Sequence, residues 1–155
     1  MANLTGHAET FAADTSVVET TPSIQLGTRG RDAQGNEYIF LQGVASTAAG
    51  SWVTYNHAFA TTLLAADAVG SVAIAMAAIN ATTKYGWYQI FGKNTIASTD
   101  TVVAGASLYI DGTAGRADDA VVAGDLIVGA FSRSADTANV ATVQLCYPVV
   151  TNALG

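Results

Sequence analysis

Two histidines, one cysteine and a scatter of carboxylates are the residues with which this chain could do chemistry, and their spacing limits each of them. His7 and His57 lie far apart, and neither has a second ligand at the short spacing of a zinc site. Asp111, Asp118, Asp119 and Asp125 offer oxygen ligands, but a calcium loop needs them on alternate residues with a closing glutamate. They read as solvated turn carboxylates. There is no Gly-x-Ser-x-Gly elbow, and Cys146 falls in the alternating apolar segment Val140 to Tyr147, where a buried, inert thiol is expected. Glycoside hydrolysis needs two carboxylates facing a cleft. Glu9, Glu19 and Glu37 are the only glutamates, and two of them fall in an irregular N-terminal stretch. No glycine-rich phosphate loop leads into a helix. The expectation is a protein that is not an enzyme and uses no metal or cofactor.

The aromatic residues are the other chemical resource. Lys84-Tyr85-Gly86-Trp87-Tyr88-Gln89-Ile90-Phe91-Gly92 is the densest aromatic segment. Strand alternation puts Tyr85, Trp87, Gln89 and Phe91 on one face and Tyr88 and Ile90 on the other. Large groups on both faces predict burial between two layers, or between one layer and a partner subunit. Tyr38, Phe40 and Phe91 read as core. Trp52, Tyr55, Trp87 and Tyr88 would suit a carbohydrate-stacking platform, and Trp and Tyr are equally favoured at subunit interfaces. The interface candidates are Phe11, Trp52, Tyr55, Tyr85, Trp87 and Tyr88.

Composition favours association. Only 12% of the 155 residues are charged, about half the usual globular share of about 25%. So little charge would cover a monomer surface poorly, and large subunit contacts resolve the difficulty. The net charge of −6 and six scattered basic residues argue against nucleic acid, whose phosphates need clustered Lys and Arg. Arg29 and Arg31, the one close basic pair, read as a solvated turn. The longest apolar run, Val69 to Ile79, is shorter than the roughly 20 residues that span a bilayer. The first residues show no signal-peptide pattern, so synthesis in a cytoplasm is expected. A single cysteine allows no internal disulfide.

The elements that would carry these residues are strands. Residues 1–22 are polar and read as an extended arm, with a β-rich domain over 23–155. Ile24 and Leu26 begin the strand pattern, and Asp32 to Asn36 supplies turn chemistry. Strands are expected over Glu37 to Val44, Ser51 to Asn56, Val69 to Ile79, Lys84 to Gly92, Asn94 to Ser98, Ser107 to Asp111, Leu126 to Phe131 and Asn139 to Tyr147. Pro148 is expected to close the last of these. Ala58 to Leu64 is ambiguous, because Phe59, Leu63 and Ala66 have helical spacing. Val102-Val103-Ala104-Gly105 recurs as Val121-Val122-Ala123-Gly124, which predicts two similar turns feeding neighbouring strands. Short strands with Gly-rich turns define an all-β fold, a single compact β-barrel or β-sandwich with an N-terminal arm.

Leu26-Gly27-Thr28 followed by Gly35-Asn36-Glu37-Tyr38-Ile39-Phe40 resembles the opening of the head decoration (capsid cement) proteins of tailed bacteriophages. Val72-Ala73-Ile74-Ala75 and Tyr85 to Ile90 are similar to their central hairpin. Ala104-Gly105, Leu108-Tyr109, Ala114-Gly115 and Asp125 to Ala130 look like their C-terminal half. The resemblance implies a small β-rich subunit, commonly a homotrimer, that binds the major capsid protein on the outside of the virion and stabilises the head. It transfers no catalytic residue, and the long arm departs from the pattern. The competing expectation is a carbohydrate-binding or fibre-type virion module built on the Trp and Tyr rings.

Overall fold

The computed structural model describes residues 14–152, and every regular element within them is a β-strand. The first five are β1 (Arg29–Arg31), β2 (Glu37–Gln42), β3 (Trp52–Tyr55), β4 (Thr61–Leu63) and β5 (Gly70–Ala75). Then come β6 (Tyr85–Asp100), β7 (Ser107–Ile110), β8 (Ala117–Asp118), β9 (Leu126–Ser132) and β10 (Val140–Val150). β6, β8, β7, β9, β10 and β5 are hydrogen-bonded in that order, and β5 returns to β6 through Ile74↔Gln89 and Ala75↔Tyr88. This closes a barrel of six strands. The β1–β2 hairpin adds to the first half of β6, and the β3–β4 hairpin adds to β5.

β6 is sixteen residues long because Gly92 bends it where sequence reading expects a break between two strands. Gly92 has φ +96°, and a Cβ there would stand 2.1 Å from Asn36 Oδ1. That same oxygen accepts the Lys93 N–H at 2.9 Å, so the bend loses no hydrogen bond. Before the bend β6 pairs with β2 and β5. After it β6 pairs with β10 and, at its end, runs parallel to β8.

The apolar residues fall into three clusters. The barrel interior holds Trp52, Leu64, Val72, Ile74, Leu108, Ile127, Val143 and Leu145, all buried. A second cluster lies between β2, β3, β5 and β6 and contains Ile39, Leu41, Val53, Ala73, Ala75, Tyr88 and Ile90. Alternation along β5 explains its composition: Val72 and Ile74 enter the barrel while Ala73 and Ala75 face the second cluster. The third cluster is Tyr38, Phe40 and Trp87, covered by Ile24, Leu26, Met76 and Tyr85.

Several boundaries differ from the sequence reading, each for a local reason. Ser23 to Thr28 forms no strand; it crosses Trp87 as irregular chain, held by Gly27 N–H to Phe40 O (2.8 Å). Val69 to Ile79 is a strand only to Ala75, after which Ile79 is buried as a plug in the following loop. No helical turn forms at Ala58 to Leu64: Phe59 has φ +61° and Thr61 to Leu63 is strand. Pro148 does not end β10, because Tyr147 at φ +50° makes a bulge and the strand resumes to Val150. A proline needs no ladder partner inside a bulge.

The arm also divides differently. Glu19 and Tyr85 exchange backbone hydrogen bonds of 2.8 Å in each direction, and Val18 packs on the second cluster. From Val17 onward the chain therefore leans on its own domain rather than only on a partner. Residues 1–13, with Phe11, lie outside the described residues.

Replacing Gly92 by Ala should cost about 2–4 kcal/mol, since it adds left-handed strain and displaces the Asn36 carboxamide. Gly35→Ala, at φ +84° with no atom within 4 Å of its Cβ, should cost only about 1–2 kcal/mol. Urea unfolding of the two variants checks the difference; equal losses would show that the Asn36 contact carries nothing.

Candidate functional site

The structure places the candidate aromatics mostly inside. Trp52 is fully buried in the barrel and donates its indole N–H to Ser98 O at 3.0 Å. Trp87 is 5% exposed, paired directly with Phe40 across β2–β6, with ring centroids 5.4 Å apart at 65°. Tyr88 is fully buried in the second cluster. Its hydroxyl makes no hydrogen bond with any described residue, while the neighbouring Thr61 hydroxyl donates to Gln42 O at 2.8 Å. Burial pushes the Tyr88 pKa up to about 12. These three rings are the domain's own core and offer no free face to a subunit or a sugar, which corrects their reading as interface residues. Tyr55 and Tyr85 are half-buried and keep some accessible surface.

Two depressions lie beside these clusters. The larger, about 590 Å³, lies between the β1–β2 turn and the bend of β6, lined by Gln34, Tyr38, Met76, Phe91, Lys93 and Gln144 among others. Its polar floor is already committed. The Gln89 amide donates to the Phe91 and Lys93 carbonyls, both at 3.0 Å, and accepts from Asn94 Nδ2 at 2.9 Å. Asp32 accepts from the Gln34 and Asn36 N–H groups, the Asn36 amide and the Tyr38 hydroxyl. Burial alone would push the Asp32 carboxyl up, but these bonds outweigh it and hold the pKa below its ordinary value. Burial, reinforced by the Asp32 charge, raises Tyr38 to about 12. The smaller depression, about 250 Å³, opens between Arg29, Tyr55, Ser71 and Tyr147.

The other chemical candidates are spread out. His57 is exposed and His7 lies outside the described residues. Cys146 is exposed rather than buried, since Ala141, Val143 and Leu145 take the inward positions of β10. Glu37 is bonded to Arg31 at 2.6 Å and also accepts from the Tyr147 hydroxyl. The aspartates pin turns: Asp111 accepts from Thr113 N, Asp125 from Asp67 N, Asp119 from Val103 N and Asp136 from Val102 N. Among the described residues no three His, Cys, Asp or Glu side chains gather as a metal site.

What sequence reasoning missed is the surface of the two repeated turns. Gly105 and Gly124 adopt nearly the same backbone, φ +83° and +88°. Val102 is buried, but Val103, Val121 and Val122 are 60%, 77% and 44% exposed. Asp119, two residues before Val121, bonds the Val103 amide at 2.9 Å and ties the turns together. Turns usually carry Asn, Asp, Ser or Gly, so the Val-Val pairs were the signal for an apolar surface. No family model, curated protein or solved structure matches the chain.

Asp118 lies beside this surface, bonded to Ala120 N. Burial first, then the charges of Asp111, Asp119 and Asp100, raise its pKa above 3.8. A carboxyl whose folded pKa is raised binds more protons folded than unfolded, so stability falls as pH rises through the window above 3.8. Asp118→Asn should therefore be more stable than the parent at pH 7, with the gap closing at pH 3.5. Melting temperatures across that range provide the check; a variant less stable than the parent at pH 7 would contradict it.

Proposed function

We propose that the protein is a structural subunit that self-associates, as a homotrimer, and cements a bacteriophage capsid by binding the major capsid protein on the outer surface. The observation that carries this reading is the apolar surface of the paired turns on a chain with only 12% charged residues. Aliphatic side chains at loop tips gain free energy only when something covers them, at about 25 cal/mol per Å² before ordering costs. The assignment of the covering partner to a phage shell rests on the motif resemblance at Leu26 to Thr28, Gly35 to Phe40 and Tyr85 to Ile90. A subunit that binds only the assembled lattice shifts that lattice toward the intact state by mass action. The glycan-binding alternative has less support, because its proposed platforms Trp52, Trp87 and Tyr88 are covered by the chain itself.

Sedimentation velocity followed by co-sedimentation with expanded empty capsids tests the proposal. The parent chain should sediment as an oligomer and pellet with shells. The double variant Val103→Asp/Val121→Asp should keep its stability within about 0.5 kcal/mol, as surface changes do, yet lose association and shell binding. A parent chain that remains monomeric and fails to pellet with shells would overturn the proposal.

A further inference from the structure

The barrel has a seam where three strands part. β6 leaves β10 at Phe91↔Cys146 and meets β5 at Gln89↔Ile74, while β10 takes up β5 only at Val149↔Ser71. Tyr147 fills the turn between these pairings in left-handed geometry, φ +50°, which is uncommon for a bulky side chain. The pocket of about 250 Å³ opens over this seam. Its floor includes Ile90, 1% exposed, and Pro148, which is also buried.

Among the described residues, the polar side chains lining it are Arg29, Tyr55, Ser71 and Tyr147, each able to donate a hydrogen bond. Arg29 and Arg31 share one face of β1, but their states differ. Arg31 is matched by Glu37 at 2.6 Å, and Tyr147 is held on the same carboxylate. The Arg29 side chain makes no hydrogen bond or ion pair with any described residue. Tyr55 and Ser71 are register partners on β3 and β5, so their side chains stand on the same face. Neither hydroxyl has a partner among the described residues. Arg29 is the one charged residue among the described residues that line the pocket.

We propose that this pocket binds a carboxylate carried on a short apolar stem. The guanidinium fork matches a carboxylate in two parallel hydrogen bonds, and the two hydroxyls add donors for the remaining lone pairs. The stem would lie on Ile90 and Pro148. A neutral amide offers one acceptor oxygen and no charge, so it fits the donor set less well. The chain's net charge of −6 repels anions at long range, which confines the attraction to this local cation. The proposal does not depend on the capsid reading: the carboxylate can come from a free small acid or from an acidic side chain of a partner protein.

The experiment is an amide NMR titration of the full chain with butanoate, with butanamide, and with glutamate blocked at both ends. Butanoate should shift the Tyr55, Ser71 and Tyr147 amides saturably, and butanamide should leave them unmoved. Arg29→Gln, an exposed change on an edge strand, should weaken binding about tenfold or more. The double change Tyr55→Phe/Ser71→Ala should weaken it by a smaller factor. Blocked glutamate binding at least as tightly as butanoate identifies a protein side chain as the source; binding of butanoate alone identifies a free acid. Equal shifts with the amide, or butanoate binding unchanged by Arg29→Gln, would overturn the proposal.

Discussion

Everything in this fold depends on covering both faces of one strand. β6 pairs with β2, β5, β10 and β8 in turn, and its first half carries Trp87 on one face and Tyr88 and Ile90 on the other. A sheet can satisfy the backbone of such a strand but can bury its side chains only if a layer lies on each side. The chain supplies both. β3 and β5 bring the small layer of Val53, Ala73 and Ala75 against Tyr88, and the irregular Ser23 to Thr28 segment crosses Trp87. The bend at Gly92 then lets the same strand leave this sandwich and join the barrel.

The composition follows from that arrangement. β5 is buried on both sides between two clusters, so its alternate positions must differ in size, and alanine is the side chain that leaves room for Tyr88. Close approaches exclude larger groups elsewhere: a Cβ on Gly86 would lie 2.7 Å from the Ile79 side chain. With aromatic and aliphatic bulk drawn inward, the large apolar residues left exposed among the described ones are valines and Tyr147. The proposed association through the Val103 and Val121 turns would thus use residues that the core has no need of.

Much of the architecture was legible in the chain. Alternation in Glu37 to Val44, Ser107 to Asp111 and Leu126 to Phe131 gave strands whose ends fall within two residues of the observed ones, because each has one wet and one dry face or a full apolar run. Where context overrode local pattern, the reading erred. Gly92 looks like a stop until Asn36, distant in sequence, is seen to complete its hydrogen bonding. Pro148 looks like a terminus until the Tyr147 bulge absorbs it. Two-residue β8 has too little sequence to show any period. The candidate site was less legible still. Alternation shows that Trp87 is covered, but whether the cover is Ile24 and Leu26 or a second chain is decided by tertiary contacts. Arg29 and Arg31 look alike in sequence, and only the position of Glu37 separates the paired cation from the free one.

The central claim is that the aromatic half of β6 is the interior of a self-sufficient domain, leaving association to the valine turns. Equilibrium urea unfolding of Trp87→Ala, at a dilution where the parent chain is dissociated, tests it most directly. The account predicts a loss of about 3–5 kcal/mol, as for a buried aromatic truncated to alanine. A variant as stable as the parent in dilute solution, yet unable to assemble at high concentration, would place Trp87 at a subunit interface and contradict it.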